Sequence, residues 1–167
     1  EMCIRDRLRI RHVSSVSNLK YEAWVEGNRK YVDEISGGKI GYVHIRSMNG
    51  SSLERFRTEI DQFWNKNGMV IDIRYNGGGN IDQELIDILE RTPYEYWNSR
   101  LGGRARGRRP RQAIAGPKVM LINWRSASDS EVTPQAFRDL KLGRIVGNPT
   151  YGACLLYTSP SPRDHEQ

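Results

Sequence analysis

The sequence predicts an α/β fold built from parallel strand–helix–strand units, and three observations carry that prediction. Short apolar runs rich in β-branched residues alternate along the chain with segments of helical periodicity. A turn rich in small or polar residues follows most of these runs and opens the next helix. The length of 167 residues suits one domain with a substantial core, and no internal repeat points to more.

The elements follow in order. Leu8-Arg-Ile-Arg-His-Val13 alternates apolar with polar residues, the pattern of a half-buried strand, and Ser14 to Asn18 breaks it. Tyr21 to Ile35 carries Trp24, Val25, Asn28, Tyr31, Val32 and Ile35 at helical spacing, with Gly37-Gly38 as a stop. Ile40 to Ile45 reads as a strand. Ser51-Ser-Leu-Glu54 reads as a capping box opening a helix whose buried stripe is Leu53, Phe56, Ile60, Phe63 and Trp64, ended by Asn67-Gly68. Met69 to Ile73 is a short apolar run of the kind covered on both faces. Strand, helix, strand implies a right-handed crossover and a parallel pair. The pattern then repeats: helix from Ile81 to Glu90, strand from Lys118 to Ile122, helix from Ser128 to Leu140, strand from Arg144 to Val146.

Composition excludes little but excludes it clearly. No apolar run approaches the ~20 residues needed to span a bilayer, and no charged-then-apolar leader opens the chain. The formal net charge is +6, much of it from Arg100 to Arg111, a local run and so weak evidence for a nucleic-acid partner. The reading of that run is a solvated loop between core elements.

Both ends read as foreign. Glu1-Met-Cys-Ile-Arg-Asp-Arg7 can be encoded by GAGATGTGTATAAGAGACAG plus one base, and the reverse complement of that string, read one base in, encodes Cys-Leu-Leu-Tyr-Thr-Ser, the run at 154–159. The string resembles a transposon-end adapter used in preparing sequencing libraries, and Pro160 to Asp164 continues it. Residues 1–7 and 154–167 are therefore expected to be adapter sequence. Both cysteines, Cys3 and Cys154, lie there.

Two turns carry chemistry. Asn76-Gly-Gly-Gly79 stands at the C-terminal end of a buried strand, where α/β sheets bind ligands, and glycines let backbone N–H groups approach an oxygen closely. The same residues suit a tight turn or a phosphate cradle, though the phosphate-loop ending Gly-Lys-Ser/Thr is absent. Ser126-Ala-Ser-Asp-Ser-Glu131 likewise follows a strand and opens a helix, so Ser128 is either a cap or a nucleophile in a field that favours negative charge.

With Gly41-Tyr-Val-His-Ile45, Gly116 to Asn123 and Gly147-Asn-Pro-Thr-Tyr-Gly152, these turns resemble, in order, the tricorn and C-terminal processing (tail-specific) serine peptidases. The resemblance implies an incomplete ClpP/crotonase-like core over 20–153, preceded at 8–19 by the last strand of a PDZ domain. It implies acyl transfer by Ser128, with the N–H groups of Gly78 (or Gly77) and Asp129 as oxyanion hole. It implies peptide substrates, no cofactor or metal, a homo-oligomeric cytoplasmic assembly, and no membrane or nucleic-acid partner.

In the processing branch a lysine base follows Thr-aromatic-Gly, and Ala153 stands there. The resemblance therefore favours the tricorn branch, with a base histidine before the PDZ module and a supporting glutamate after the nucleophile, both outside this chain. The chain alone is then expected to be inactive. His44 and His12 are expected to be structural; Glu131 either hydrogen-bonds near the nucleophile or, as is usual for an acid in a first helical turn, serves the dipole, and no catalytic role is assigned to it. Two other readings stay open: a binding domain that uses Arg100 to Arg111 for acidic partners or nucleic acid, and a crotonase-like acyl-CoA enzyme.

Overall fold

The computed structural model describes residues 15–63, 65–97 and 107–153. The expected adapter segments, the strand at 8–13, Trp64 and residues 98–106, which include the first part of the arginine stretch, lie outside the described residues. The α/β class holds: a four-stranded, wholly parallel sheet is ordered β1-β2-β5-β6. Its strands are β1 (Ile40–His44), β2 (Gly68–Asp72), β5 (Lys118–Ile122) and β6 (Arg144–Gly147). The helices are α1 (Ser17–Ile35), α2 (Gly50–Gln62), α3 (Asp82–Glu90) and α4 (Asp129–Asp139), and a small antiparallel hairpin pairs β3 (Glu95–Trp97) with β4 (Gly107–Arg109).

The core lies between the sheet and the apolar stripes of α2, α3 and α4. Val43 of β1 and Ile45 just after it, Met69 and Ile71 of β2 and Ile73 just after it, and Met120 and Ile122 of β5 point into it because alternate residues share a face. Leu53, Phe56 and Ile60 of α2, and Leu85, Ile88 and Leu89 of α3, meet them at helical spacing. Each such side chain contributes about 1.5–3 kcal/mol on burial. On the opposite sheet face Tyr42, His44 and Asp72 are buried, whereas Val70, Val119 and Leu121 are only half-buried.

On that face α1 lies along the edge strand β1. Asn28 Nδ2 donates to the Tyr42 hydroxyl at 3.2 Å, and Tyr42 in turn donates to the buried Asp72 at 2.6 Å. Arg74 completes the network, with Nη2 2.6 Å from the same Asp72 oxygen. Burial pushes the Tyr42 phenol up, and the Asp72 carboxylate that its proton serves adds to the rise.

Four expectations need correction. The first helix begins at Ser17 rather than Tyr21, and it turns Tyr21, Val25, Asn28 and Val32 to the sheet, which leaves Tyr31 and Ile35 exposed. Ser51 and Glu54 do not form the capping box: Asn49 is the cap, its Oδ1 accepting the Ser52 N–H at 3.0 Å, and Glu54 pairs with Arg57 instead. Asn67-Gly68 does not end α2, which stops at Gln62; Gly68 begins β2. The arginine stretch is not wholly a solvated loop, since residues 107–109 form β4 and Arg108 is buried.

Candidate active site

Strands β2 and β5 are neighbours, with Asp72 paired to Leu121, so the turns that leave their C-terminal ends emerge side by side. The glycine turn at 76–79 and the serine turn at 126–131 are thereby brought together, although 47 positions separate Asn76 from Asn123, the residue that follows β5. Direct bonds join them. Ala127 N–H donates to the Asn76 carbonyl at 3.0 Å, Tyr75 N–H donates to Asn123 Oδ1 at 3.0 Å, and the Ser126 hydroxyl donates to the Ile73 carbonyl at 2.9 Å. The last bond, with Asn123 N–H donating to the same hydroxyl at 3.1 Å, makes Ser126 a buried structural tie.

Ser128 is different: it is exposed, stands immediately before α4, and has φ 55° and ψ −124°. A side chain rarely adopts this conformation, and such strain concentrates where the surroundings enforce it. A sharp strand-to-helix turn of this kind lifts a serine hydroxyl clear of the sheet. The Glu131 N–H donates to the Ser128 carbonyl at 2.7 Å, so the helix start has a backbone acceptor.

The glycine turn packs directly against it. A Cβ on Gly78 would come within 2.7 Å of Ser128 Cβ and 3.1 Å of the Asp129 nitrogen, and its φ of 102° also favours glycine. The Gly78 N–H donates to Asn76 Oδ1 at 2.9 Å. Gly77 is exposed, and its N–H has no hydrogen-bond partner among the described residues. As the first residue of α4, Asp129 presents an N–H with no intrahelical acceptor.

The Asp129 side chain points the other way and ties the two turns again, its Oδ2 accepting the Ile81 N–H at 2.9 Å at the start of α3. Burial pushes this carboxyl up to about 6; the Ile81 N–H works against the rise and the neighbouring Asp82 carboxyl works with it. In the unfolded chain the group returns to its ordinary 3.8, so between about pH 4 and pH 6 the folded state binds the proton more tightly. This group's contribution to stability is therefore complete below that window and declines as pH rises through it. Asp129→Asn, which keeps an acceptor for Ile81, is expected to flatten that decline when urea unfolding is compared at pH 4.5 and pH 7.

His44 does not belong to the site. Its Nε2 lies 2.9 Å from the Arg74 carbonyl, which can only accept, so this nitrogen carries the proton and Nδ1 accepts from the Tyr21 hydroxyl at 2.9 Å. Burial holds its pKa below the usual imidazole value, and Tyr21 and Trp24 pack edge-on against the ring. His12 lies outside the described residues. On the hairpin, Arg109 is 4.0 Å from Glu95 and Arg111 is 3.0 Å from Asp61, so these two arginines have internal partners.

Sequence reasoning missed Asn76, Asn123 and Glu131 as organisers of the site. An asparagine two residues before a glycine that must turn is a signal for the first of these. The Ser128-Asp-Ser-Glu131 spacing of a capping box is a signal for Glu131, whereas no local signal marks Asn123. Among the described residues no helix is long and apolar enough to cross a membrane, and no group of three or more His, Cys, Asp or Glu is placed to hold a metal ion.

Residues 39–162 match the family described as Peptidase family S41. The tricorn protease of Thermoplasma volcanium is 34% identical over 134 residues, which cover 80% of this chain and 13% of that protein. The C-terminal processing peptidase, chloroplastic, of Tetradesmus obliquus is 31% identical over 135 residues, 72% of this chain and 27% of that one. The crystal structure of the tricorn protease superposes with a TM-score of 0.77 at 32% identity, covering 86% of this chain and 14% of that one. The chain thus spans about an eighth of the length of the tricorn protease it matches.

Proposed function

The chain belongs to peptidase family S41, and from that premise we propose that it carries the nucleophile of a longer serine peptidase which cleaves peptide bonds through an acyl-enzyme on Ser128. The observation that carries the proposal is the strained, exposed Ser128 at the mouth of β5, packed against a turn of three glycines. The serine hydroxyl attacks the peptide carbonyl carbon, its proton passes to a base, and the amine of the scissile bond leaves with that proton. Water then hydrolyses the ester.

The oxyanion hole is assigned to the Asp129 N–H and one glycine N–H. Gly78 serves only if Asn76 releases it, because that N–H is bound at 2.9 Å; Gly77 needs no such exchange. Gly77 is therefore at least as well suited as Gly78. The base comes from elsewhere: His44 has both ring nitrogens engaged, and Ala153 stands where the processing branch has lysine. This supports a histidine-dependent, tricorn-like enzyme whose base and supporting glutamate lie beyond this chain. The chain alone is then inactive. Peptide substrates, a homo-oligomeric assembly, a preceding PDZ module and a cytoplasmic site of action complete the proposal as the resemblance implies it.

The test is labelling by a fluorophosphonate, which reacts with activated serines. Stoichiometric labelling of the longer gene product at Ser128, absent in Ser128→Ala and absent in the isolated chain, is the expected result. Labelling that persists in Ser128→Ala overturns the assignment, and a wholly unreactive gene product favours a binding role. An uninterrupted read of the source locus supplies that product and tests the ends as well. A frame that runs on from Ala153 without Cys-Leu-Leu-Tyr-Thr-Ser supports the adapter reading. A gene that carries 154–162 as printed, within the family match, overturns it.

A further inference from the structure

We propose that Glu131 is a positioning residue, clamping the nucleophile turn to the segment that follows β6 so that Ser128 and Gly152 are held in one register. The proposal rests on the reading of Ser128 as nucleophile. Glu131 lies in the first turn of α4, where an acidic side chain often does no more than face the helix dipole from solvent. Here it is buried, and its two oxygens serve different parts of the chain. Oε1 accepts the Ser128 N–H at 3.2 Å, and Oε2 accepts the Gly152 N–H at 2.6 Å. A third bond joins the same two segments, Tyr151 N–H donating to the Ser126 carbonyl at 3.0 Å.

A carboxylate is costly to bury unless such donors satisfy it, and bonds to a charged acceptor are stronger than neutral ones. Glu131 therefore has two consequences for the site. By engaging the Ser128 N–H it fixes that residue at φ 55° and leaves the next N–H, that of Asp129, as the one available for an oxyanion. By engaging Gly152 it sets where the chain runs at residue 152, against the first turn of α4. A groove of about 430 Å³ between α4 and residues 147–150 has Glu131 in its wall, so loss of the clamp also loosens one side of the cleft.

Ser128→Ala, Glu131→Ala and Glu131→Gln separate the possibilities. Glutamine keeps the size and one acceptor, but its NH2 cannot accept the second N–H. In the chain itself, amide hydrogen exchange at Gly152 is expected to quicken roughly tenfold or more in Glu131→Ala, which removes both acceptors. In the longer gene product, kcat is expected to fall about 100-fold in Glu131→Ala, the scale of a misplaced reacting group, with KM within about threefold. Glu131→Gln is expected to lie between that variant and the parent, and it carries the test if Glu131→Ala does not fold.

A role confined to capping α4 predicts a lower Tm with kcat unchanged wherever the variant is fully folded, and that result overturns the proposal. So does unaltered exchange at Gly152 in Glu131→Ala. Turnover lost in Ser128→Ala but intact in Glu131→Ala sinks the Glu131 proposal alone, whereas turnover retained in Ser128→Ala sinks the reading beneath it.

Discussion

Ser128→Gly is expected to give a chain more stable than the parent and a peptidase without measurable turnover. At φ 55° and ψ −124° a residue with a side chain stores roughly 1–3 kcal/mol of backbone strain, and glycine relieves it. Against that gain stand about 0.5–1 kcal/mol of extra chain entropy in the unfolded state and a few tenths for exchanging serine at a helix cap. The balance is a net gain of about 1 kcal/mol, readable as a higher urea midpoint in the isolated chain. Activity moves the opposite way in the longer gene product. Removing the nucleophile of a serine peptidase costs on the order of 10⁴ or more in rate, and nothing in the glycine variant replaces the hydroxyl. Ser128→Ala is expected to match it in lost activity but not in gained stability, because alanine is as strained as serine here. A destabilised Ser128→Gly would show that the turn is not strained, and an active one would remove Ser128 from the reaction. Function is thus expected to oppose stability at one residue, as it commonly does at strained sites.

Gly79→Ala is expected to cost at least about 4 kcal/mol, enough to leave most of a chain of ordinary stability unfolded. The position is closed twice over. Its φ of 154° is one that residues with a Cβ seldom adopt, and a Cβ there would lie 1.7 Å from the Met48 carbonyl oxygen and 2.4 Å from its carbon. Neither partner can retreat. Met48 is bridged to Gly79, its N–H donating to the Gly78 carbonyl at 3.0 Å and its carbonyl accepting the Asn80 N–H at 2.8 Å. The control is two residues away: Gly77 has open space around its missing Cβ, and Gly77→Ala is expected to shift stability by no more than about 0.5 kcal/mol. Chemical unfolding of both variants checks the contrast. Equal losses would mean that the close approach of the glycine turn to Met48 is not a constraint.

Much of this molecule was legible in the chain. The four strands of the main sheet and the helices between them announced themselves because each must bury one face. Periods of two and 3.6 residues mark those faces wherever they are long enough. The glycine and serine turns were legible for the same local reason, since small residues directly after a buried run mark a tight change of direction. The β3–β4 hairpin escaped because three-residue strands are too short to show a period, and because the arginines of 107–109 read as solvated until Arg108 is seen buried. Asn49 took the cap of α2 from the more obvious Ser51 because its carbonyl reaches the third N–H of the helix first.

The sequence by itself determined the class of fold, the family and the identity of the candidate nucleophile, all of which are written in short-range patterns or in motifs of contiguous residues. The tertiary structure alone decided which groups act together. The bond from Gly152 to Glu131, that from Ala127 to Asn76 and that from Ile81 to Asp129 each join residues that become neighbours only once β2, β5 and β6 lie side by side. Hydrogen bonds act over about 3 Å of space, and a linear sequence carries no record of distance through space.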